Sequence, residues 1–465
     1  MADQPVHPVP STAIPTAKNI IICCDGTGNQ FGDSNSNVIK FYTSLIIDNN
    51  QVGYYHPGVG TMGDQALRHR LSRWWSRVKG LAFASGFQDN VFDAYRYLME
   101  TYDDGDQVYL IGFSRGAYTA RAVAGLLDGY GLLCRGNEGH LPYAWRLYTR
   151  QHKDRKKHRI NPNEDDGLAF RETFSRKAFK SIRFLGIWDT VSSVGWIYTP
   201  VRLFDVGQNH LVETGRHAIS IDERRCFYVD NLWGKPLPDV NGKPQDILQV
   251  WFPGVHSDVG GSYPQKESVL SNVTLKWMLD EAEKADVRLQ KEREQIVLGK
   301  PDPQHQPLSK LYFPPTESIV HKSLKGLWWI LEIFPHRYYD IDHGEEQWRV
   351  PLGARRKIPK DSFIHPTVPA RIKANEDYDP QNIAFDDIKP SAIPGLDRYE
   401  PKTITPSSTA ARILILWFFG ICGTSLVLIV LFLLFKGLVC LWGYHLPTQV
   451  LVWLSGHLCT SCSMK

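Results

Sequence analysis

The fold is decided by the stretch Val108-Tyr-Leu-Ile-Gly-Phe-Ser-Arg-Gly-Ala-Tyr118. It opens with four apolar residues in a row, which predict a buried strand. It runs into residues 117–127, which are rich in alanine and leucine and therefore favour a helix. Ser114 stands between the two, with Gly112 and Gly116 two residues away on either side. The pattern predicts a strand, a sharp turn and a helix, with a serine hydroxyl at the apex.

A Gly-x-Ser-x-Gly sequence in this context is typical of the nucleophile elbow of α/β-hydrolases. The turn forces the serine into a strained backbone conformation, which requires neighbours without side chains. The hydroxyl then projects above the sheet, and the N–H groups at the helix start point towards an oxyanion formed there. The alternative interpretation is a structural turn, because glycine and serine are common loop residues.

Further strands and helices are readable on both sides of this turn. Residues 19–24, 182–188 and 247–252 are apolar runs that predict buried strands. Residues 87–102 predict an amphipathic helix, and residues 271–285 predict a further helix. Strands that alternate with helices predict an α/β fold: an α/β-hydrolase-like, mostly parallel sheet with helices on both faces.

A nucleophilic serine needs a histidine to accept its proton and an acid to orient that histidine. In a parallel sheet such groups gather where strands end. Asp189 follows the strand 182–188, and His256 follows the strand 247–252. The chain order Ser114, Asp189, His256 is that of α/β-hydrolases. These three are the predicted catalytic residues.

Each of the two partners has a competitor. Asp189 followed by a threonine is also the pattern of a helix N-cap or an Asx-turn. Asp258, two residues after His256, is an alternative acid, and His217 is an alternative base.

The oxyanion requires two backbone N–H donors. The first predicted donor is Arg115, which follows the nucleophile. The second is Gly26 or Thr27, in the Asp25-Gly-Thr-Gly28 loop, whose glycines allow close approach of the backbone to a substrate. The loop also has a purely structural interpretation as a turn. A phosphate or metal site is a weaker one, because no second acidic cluster is present; no metal or organic cofactor is expected.

The chain has 465 residues, is 43% hydrophobic and 22% charged, and carries a net charge of +4. These values permit a large globular core, and the charge is too small to indicate nucleic acid as a partner. The proline-rich residues 1–18 predict a disordered N-terminus. Residues 19–370 are the predicted catalytic domain, with the polar segment 135–180 as an insertion or cap. Residues 371–411, rich in proline, aspartate, serine and threonine, predict a linker.

The uncharged run 413–435 predicts a transmembrane helix over 412–436, because it would span roughly 34 Å at helical rise. Residues 437–465 form an apolar tail, and 438–458 within it fits either a second span or an interfacial segment. The cysteines of the main domain, Cys23, Cys24, Cys134 and Cys226, lack disulfide or zinc spacing, which favours a reduced, cytosol-facing catalytic domain.

Residues 323–335 predict a further apolar helix, with Leu324, Leu327, Trp328 and Leu331 on one face. Core packing is the plain interpretation. An acyl-chain groove or lid is the functional one, with Trp328 and Leu331 as predicted substrate-binding residues.

Six segments of the chain match one known family: Asp25-Gly-Thr-Gly-Asn29, Pro57-Gly-Val-Gly-Thr61, Gly112-Phe-Ser-Arg-Gly-Ala-Tyr-Thr-Ala-Arg121, Trp188-Asp-Thr-Val191, His217-Ala-Ile-Ser-Ile-Asp-Glu-Arg-Arg225 and Trp251-Phe-Pro-Gly-Val-His-Ser-Asp-Val-Gly-Gly261. On these segments, residues from about 19 to 345 resemble the catalytic domain of type VI secretion phospholipase effectors. The resemblance implies an α/β-hydrolase fold, a Ser-Asp-His triad on Ser114, Asp189 and His256, and, for the bacterial effectors, hydrolysis of phospholipid esters. This chain departs from them in its single-domain form and its apolar C-terminal segment, and relatives of this shape resemble fungal proteins.

Together these features predict a serine hydrolase that cleaves lipid esters, with a phospholipid as the expected substrate. It is expected to be tethered to a membrane by 413–435, with its catalytic domain in the cytosol. A soluble-ester or thioester hydrolase, an acyltransferase and a non-catalytic membrane scaffold are the alternatives.

Overall fold

A nine-stranded, mostly parallel sheet forms the centre of the part of the chain that the computed structural model describes. The described residues are 17–26, 32, 34–58, 84–155, 166–191, 195–196, 199–200, 209–234, 236–238, 242–299, 316–340 and 345–401. Their strands are β1 (Asn19–Cys24), β2 (Gln51–His56), β3 (Gln107–Phe113), β4 (Ile182–Trp188), β5 (Gly195–Trp196), β6 (Thr199–Pro200), β7 (Val212–Ser220), β8 (Asp246–Phe252), β9 (His336–Asp340), β10 (Glu345–Arg349), β11 (Phe363–Ile364), β12 (Ile388–Pro390) and β13 (Asp397–Tyr399).

Helices separate most of these strands along the chain. The described helices are α1 (Asn37–Thr43), α2 (Ala84–Thr101), α3 (Arg115–Tyr130), α4 (Leu141–Arg155), α5 (Asp166–Phe174), α6 (His256–Gly260), α7 (Val269–Lys284), α8 (Lys291–Val297), α9 (Trp328–Glu332) and α10 (Thr367–Ala374), with 3₁₀ turns at Glu138–His140, Gln265–Glu267 and Phe385–Asp387.

The strand order of the large sheet among the described residues is β12-β13-β11-β8-β7-β4-β3-β1-β2. Strands β11, β8, β7, β4, β3, β1 and β2 run parallel to one another. Strand β13 pairs antiparallel with β11, and β12 pairs antiparallel with β13. The pairs β5–β6 and β9–β10 form two separate antiparallel hairpins. The prediction of a mostly parallel α/β sheet is confirmed.

Both faces of the sheet are covered, which explains why its strands are continuous apolar runs. Side chains alternate across β1: Ile20 and Ile22 join the core under α2 and α3, whereas Ile21 and Cys23 join the core under α1 and α7. The predicted helices are confirmed, with α2 beginning at Ala84 and α7 at Val269.

The direction of strand addition reverses between β1 and β3. The strand β1 lies between β2 and β3, so the loops that follow β1 and β3 leave the sheet at a topological switch point. Open α/β sheets bind their ligands in the crevice beyond the carboxyl ends of the strands at such a point. The predicted serine at the end of β3 therefore lies at the position that this topology favours for a site.

Ordered residues lie within two segments that the sequence places outside the catalytic domain. Within the predicted linker 371–411, the strands β12 and β13 extend the main sheet, and Ile383 and Leu396 are buried in two core clusters. At the other end, Lys18 is anchored by its ammonium group, which lies 2.6 Å from the Asp106 carboxylate.

The segment predicted as an insertion or cap, 135–180, contains α4 and α5 and no strand longer than an isolated bridge among its described residues. Its aromatic side chains Tyr148 and Phe170 pack into the core beside α3. The predicted transmembrane helix over 412–436 and the tail over 437–465 lie outside the described residues. Within the described part of the chain, no helix has the length and apolar character needed to cross a bilayer.

Candidate active site

Ser114 stands at a strained turn between β3 and α3. Its φ of 59° and ψ of −122° place it in a region that residues other than glycine rarely adopt. A Cβ atom on Gly112 would lie 2.6 Å from the Cα of Ala117, and one on Gly116 would overlap the carbonyl group of Cys24. Both glycines are therefore required for the close approach of α3 to β3 and β1, as the sequence pattern predicts.

His256 follows β8, which is separated from the serine-bearing strand β3 by β7 and β4. The strands β3 and β8 are three positions apart, roughly 14 Å at normal strand spacing. The loop 253–255 spans part of this distance, and His256 is the first residue of α6. The imidazole Nε2 lies 2.8 Å from the Ser114 Oγ. The rings of Phe113 and Tyr228 flank the imidazole, each with its centroid 4.7 Å away.

Asp189 follows β4 directly and also has a positive φ, of 37°. Its Oδ2 lies 2.5 Å from the Nδ1 of His256, and its Oδ1 accepts a hydrogen bond of 2.9 Å from the Ser220 amide. The three side chains predicted from the sequence therefore form one continuous chain of hydrogen bonds. Ser114 is 8% exposed, His256 4% and Asp189 1%, so the chain is almost entirely shielded from water.

A buried arginine completes the surroundings of Asp189. Arg356 donates through Nη1 to Oδ1 at 2.5 Å and through Nη2 to Oδ2 at 3.1 Å. Burial raises the pKa of Asp189, but the charge of Arg356 and the hydrogen bond from His256 outweigh it, so the pKa lies well below its usual range. The carboxylate is therefore ionised and can only accept hydrogen bonds.

Burial lowers the pKa of His256, and the hydrogen bond to Asp189 opposes this effect only in part. The imidazole is therefore neutral near pH 7. Because Asp189 only accepts, the proton is assigned to Nδ1, which leaves the lone pair of Nε2 facing the Ser114 hydroxyl. This is the protonation state that a general base requires.

A second buried ion pair supports the backbone of His256. Glu223 accepts a hydrogen bond of 3.2 Å from the His256 amide and is paired with Arg225 at 2.8 Å. The Arg225 guanidinium lies over the Tyr228 ring, 3.6 Å from its centroid. Burial raises the pKa of Glu223, but the hydrogen bonds and charge of Arg225 outweigh it and lower that pKa to about 2. Glu223 thus links the backbone of His256 to the residue that positions the ring of Tyr228.

The competing base and acid are bonded elsewhere. His217 is buried in β7, where its Nε2 accepts from the Thr190 amide and its Nδ1 lies 3.3 Å from the Gln249 Oε1. Burial lowers the pKa of His217 to about 3. Asp258 accepts from the Val255 amide at the start of α6 and pairs with His321 at 2.6 Å. The hydrogen bonds of the His256 imidazole go to Asp189 and Ser114 instead.

Of the predicted oxyanion donors, Arg115 lies next to Ser114, the Gly26 amide is bonded elsewhere, and Thr27 is not described. Arg115 is the first residue of α3, directly after Ser114. The Gly26 amide instead donates to the Oδ1 of its neighbour Asp25 at 2.6 Å. The same carboxylate accepts from Ser36 and Tyr55, because a buried carboxylate must satisfy its oxygens with nearby donors. Thr27 lies outside the described residues.

The predicted substrate-binding helix is shorter than the sequence suggests. Gly326, with a φ of 57°, precedes α9, which comprises only Trp328–Glu332. The ring of Trp328 contacts that of Tyr228 and therefore adjoins the ring that flanks His256. Leu331 is 9% exposed and packs inside the protein, which argues against the predicted substrate contact. The exposed apolar side chains are instead Leu327, Trp329, Ile330 and Ile333, at 43–56% exposure.

Arg356, Glu223 and Tyr228 were not predicted as site residues. Arg356 belongs to the run Ala354-Arg-Arg-Lys357, which looks like an ordinary charged surface segment. Glu223 and Tyr228 lie in or beside the segment 217–225 that carries the family resemblance, and this was the only available signal for them. In the described ranges, no three histidine, cysteine or acidic side chains gather as candidate metal ligands.

Comparisons with known proteins identify one family. A model described as "T6SS, Phospholipase effector Tle1-like, catalytic domain" matches residues 18–281, more than half of the chain. An uncharacterized protein of Saccharomyces cerevisiae, YEL023C, is 28% identical over an alignment that covers 60% of this chain and 59% of that protein. This chain thus spans about three fifths of the length of that curated relative.

Two solved structures are also similar. One is an uncharacterized protein from Pseudomonas aeruginosa, with a TM-score of 0.33 and 21% identity over 60% of this chain and 47% of that chain. The other is the Tle1 effector bound to the VgrG spike of the type 6 secretion system, with a TM-score of 0.29 and 19% identity over 55% of this chain and 53% of that chain.

Proposed function

This chain belongs to the family of Tle1-like phospholipase effector catalytic domains, and from that premise we propose that it is a serine hydrolase that cleaves carboxylic ester bonds of phospholipids. Membership supports phospholipase-type activity. The single observation that carries the finer proposal is the buried hydrogen-bond chain from the Ser114 hydroxyl through His256 to Asp189, with distances of 2.8 Å and 2.5 Å.

In the proposed reaction the Ser114 Oγ attacks the acyl carbonyl carbon while the Nε2 of His256 takes the hydroxyl proton. The carbonyl oxygen becomes an oxyanion, which the Arg115 amide would stabilise at the start of α3. Collapse of this intermediate breaks the ester C–O bond, and the imidazolium returns its proton to the departing alcohol. Water, deprotonated by His256, then attacks the acyl-enzyme; the bond between the acyl carbon and Ser114 Oγ breaks, and the imidazolium returns the proton to Ser114 as the fatty acid leaves.

Asp189 has two tasks in this scheme. It holds the imidazole with Nδ1–H inward and Nε2 towards the serine, and its negative charge stabilises the imidazolium that forms during each proton transfer. The low pKa of Asp189 keeps it ionised throughout. The lowered pKa of His256 keeps the base neutral between transfers.

The exposed face of α9 favours a lipid over a small soluble ester. The Tyr228 ring contacts both the His256 imidazole and the Trp328 ring of α9. Next to Trp328 in the chain, exposed apolar surface is formed by Leu327, Trp329, Ile330 and Ile333. Clustered apolar groups at a protein surface are typical of contact with other proteins or with lipid. The apolar run 413–435 would tether the unit to a bilayer with the catalytic part on the cytosolic side, as the sequence predicts.

Labelling with a fluorophosphonate probe tests the nucleophile independently of the substrate. We expect the full-length protein to be labelled and Ser114→Ala to lose the label. Ser271→Ala is the matched control, because Ser271 is also buried but its hydroxyl donates to the carbonyl of Ser268, the N-cap of α7, and its carbonyl accepts from the Asn37 side chain. Persistent labelling of Ser114→Ala, or an unlabelled wild type, would refute the serine hydrolase.

The substrate is tested with phosphatidylcholine vesicles and with a short water-soluble ester. A phospholipase releases fatty acid and lysophospholipid from the vesicles, and this release disappears in Ser114→Ala. Hydrolysis of the soluble ester with no release from vesicles would instead support a soluble-ester hydrolase. If a wild-type gene and the Ser114→Ala gene restore a deletion strain equally well, a non-catalytic scaffold is favoured.

A further inference from the structure

We propose that Arg356 is a positioning residue of the proposed reaction: its guanidinium fixes the Asp189 carboxylate in the one orientation in which Oδ2 accepts the Nδ1 proton of His256. This inference rests on the proposed function, because it concerns the same hydrogen-bond chain. It adds a fourth side chain, from a part of the molecule that the family model does not cover.

The geometry of the pair defines the plane of the carboxylate. Arg356 contacts both oxygens of Asp189, at 2.5 Å and 3.1 Å, in the two-pronged arrangement that only a guanidinium can form. Its Nη1 also donates to the Ser220 hydroxyl at 2.7 Å, and its Nη2 donates to the Tyr228 carbonyl at 2.6 Å. Rotation of the carboxylate would break both prongs, so Oδ2 stays directed at His256.

The backbone around Arg356 is itself fixed. Its carbonyl accepts a hydrogen bond of 3.1 Å from the Asn382 side chain, whose amide also donates to the Ile221 carbonyl. Ile358, two residues further on, packs in a core cluster with Ile219 and Trp251. The guanidinium is therefore presented to Asp189 from a rigid support.

Stability alone explains this arginine poorly. Its side chain is 5% exposed, and its Nε finds no hydrogen-bond partner among the described residues. Burying a charged group in this incompletely satisfied state costs free energy that a well-packed apolar side chain would not. The buried charge is better explained by its effect on the neighbouring pair, where it keeps the Asp189 carboxylate ionised and holds it directed at His256.

Three other charged side chains lie near His256, Asp189 and Arg356. Glu223 and Arg225 face His256 from the loop after β7, and Asp230 lies near Arg356. Removing Arg356 leaves these groups in place and removes one positive charge. The attraction of Asp189 for a protonated imidazole then increases, so the pKa of His256 rises and the base is lost at a higher pH.

The test is the pH dependence of fluorophosphonate labelling of Ser114 in Arg356→Met. We expect labelling to slow roughly 100-fold, a part of the loss that removal of the orienting acid causes. We also expect the acidic limb of the profile to move about one pH unit upwards. A purely structural arginine would lower the melting temperature without moving that limb.

Arg216→Met is the matched control. Arg216, in β7, is similarly buried, with 7% of its side chain exposed, and it pairs with Glu281 of α7 at 2.5 Å without contacting the triad. We expect it to lower thermal stability while its labelling profile stays within about twofold of wild type. An Arg356→Met profile that coincides with wild type, or an equal shift in Arg216→Met, would overturn the proposal.

Arg356→Lys keeps the proposal testable if Arg356→Met does not fold. Lysine retains the charge but not the two-pronged contact, so we expect the acidic limb to stay in place and labelling to slow roughly 10-fold. A rate equal to that of wild type would refute the positioning role. Failure of the wild type to label would instead refute the serine hydrolase itself, so the two failures are distinguishable.

Discussion

The two halves of the site are held together by different forces. On the nucleophile side, Ser114 is set by the packing of backbone against backbone, where Gly112 and Gly116 leave no room for a side chain. On the base side, Asp189 and His256 are set by two buried ion pairs, Arg356–Asp189 and Arg225–Glu223. The nucleophile side therefore depends on shape, and the base side depends on charge. We expect added side-chain volume near Ser114 to disrupt the first, and low pH or removal of a charged side chain to disrupt the second.

The largest effect is expected from Asp189→Asn. The amide leaves Arg356 without its counter-charge and can present an N–H to the His256 Nδ1, which favours the wrong tautomer. We expect the labelling rate and ester hydrolysis to fall about 10⁴-fold. The rate of fluorophosphonate labelling, followed over time at pH 7, measures this loss. A reduction of less than tenfold would show that Asp189 does not orient the base.

Gly116→Ala tests the shape-dependent half. The new methyl group would overlap the Cys24 carbonyl, and we expect it to reduce the free energy of unfolding by about 3 kcal/mol and to displace Ser114. Gly129→Ala is the control in the same helix, because nothing lies within 4 Å of its Cβ position. That variant should gain about 0.5–1 kcal/mol. Denaturant titration of both decides, and equal stabilities would contradict the packing argument.

Acid should disable the charge-dependent half first. The folded-state pKa of His256 is lowered below 6.5, so the neutral base persists below that pH and labelling falls about tenfold per unit below the folded pKa. A group whose pKa is lower in the folded than in the unfolded protein makes the fold less stable as the pH falls below its unfolded pKa. We therefore expect the free energy of unfolding to decrease below pH 6.5 because of His256, and further below pH 3.8 because of Asp189. A labelling midpoint at or above 6.5 would contradict the effect of burial.

The smallest effect is expected from Glu223→Gln. The neutral amide still accepts from the His256 amide but no longer balances Arg225, which lies over Tyr228. We expect a loss of about 1 kcal/mol in the activation free energy, roughly fivefold in rate. Labelling at a fixed pH measures it. A loss as large as that of Asp189→Asn would mean that the second ion pair contributes as much as the first.

Local signals in the sequence were sufficient for the elbow and the strands. The strand β3, the serine and the helix α3 are neighbours in the chain, so apolar runs and glycine spacing predict their geometry. The same signals predicted the residues that follow β4 and β8, because parallel strands end at one edge. They did not predict that Gly26 donates to Asp25, that α9 is only one turn long, or that residues 388–399 extend the sheet.

The sequence by itself determined the parallel α/β sheet and the three side chains at its strand ends, because periodicity and chain order are properties of neighbouring residues. Only the tertiary structure decided which partners surround them: Arg356 reaches Asp189 across 167 residues of chain, and Asp258 pairs with His321 instead of His256. A buried charge is recognised by what lies around it in space, and a basic residue in a linear sequence carries no mark that distinguishes a buried partner from a solvated one.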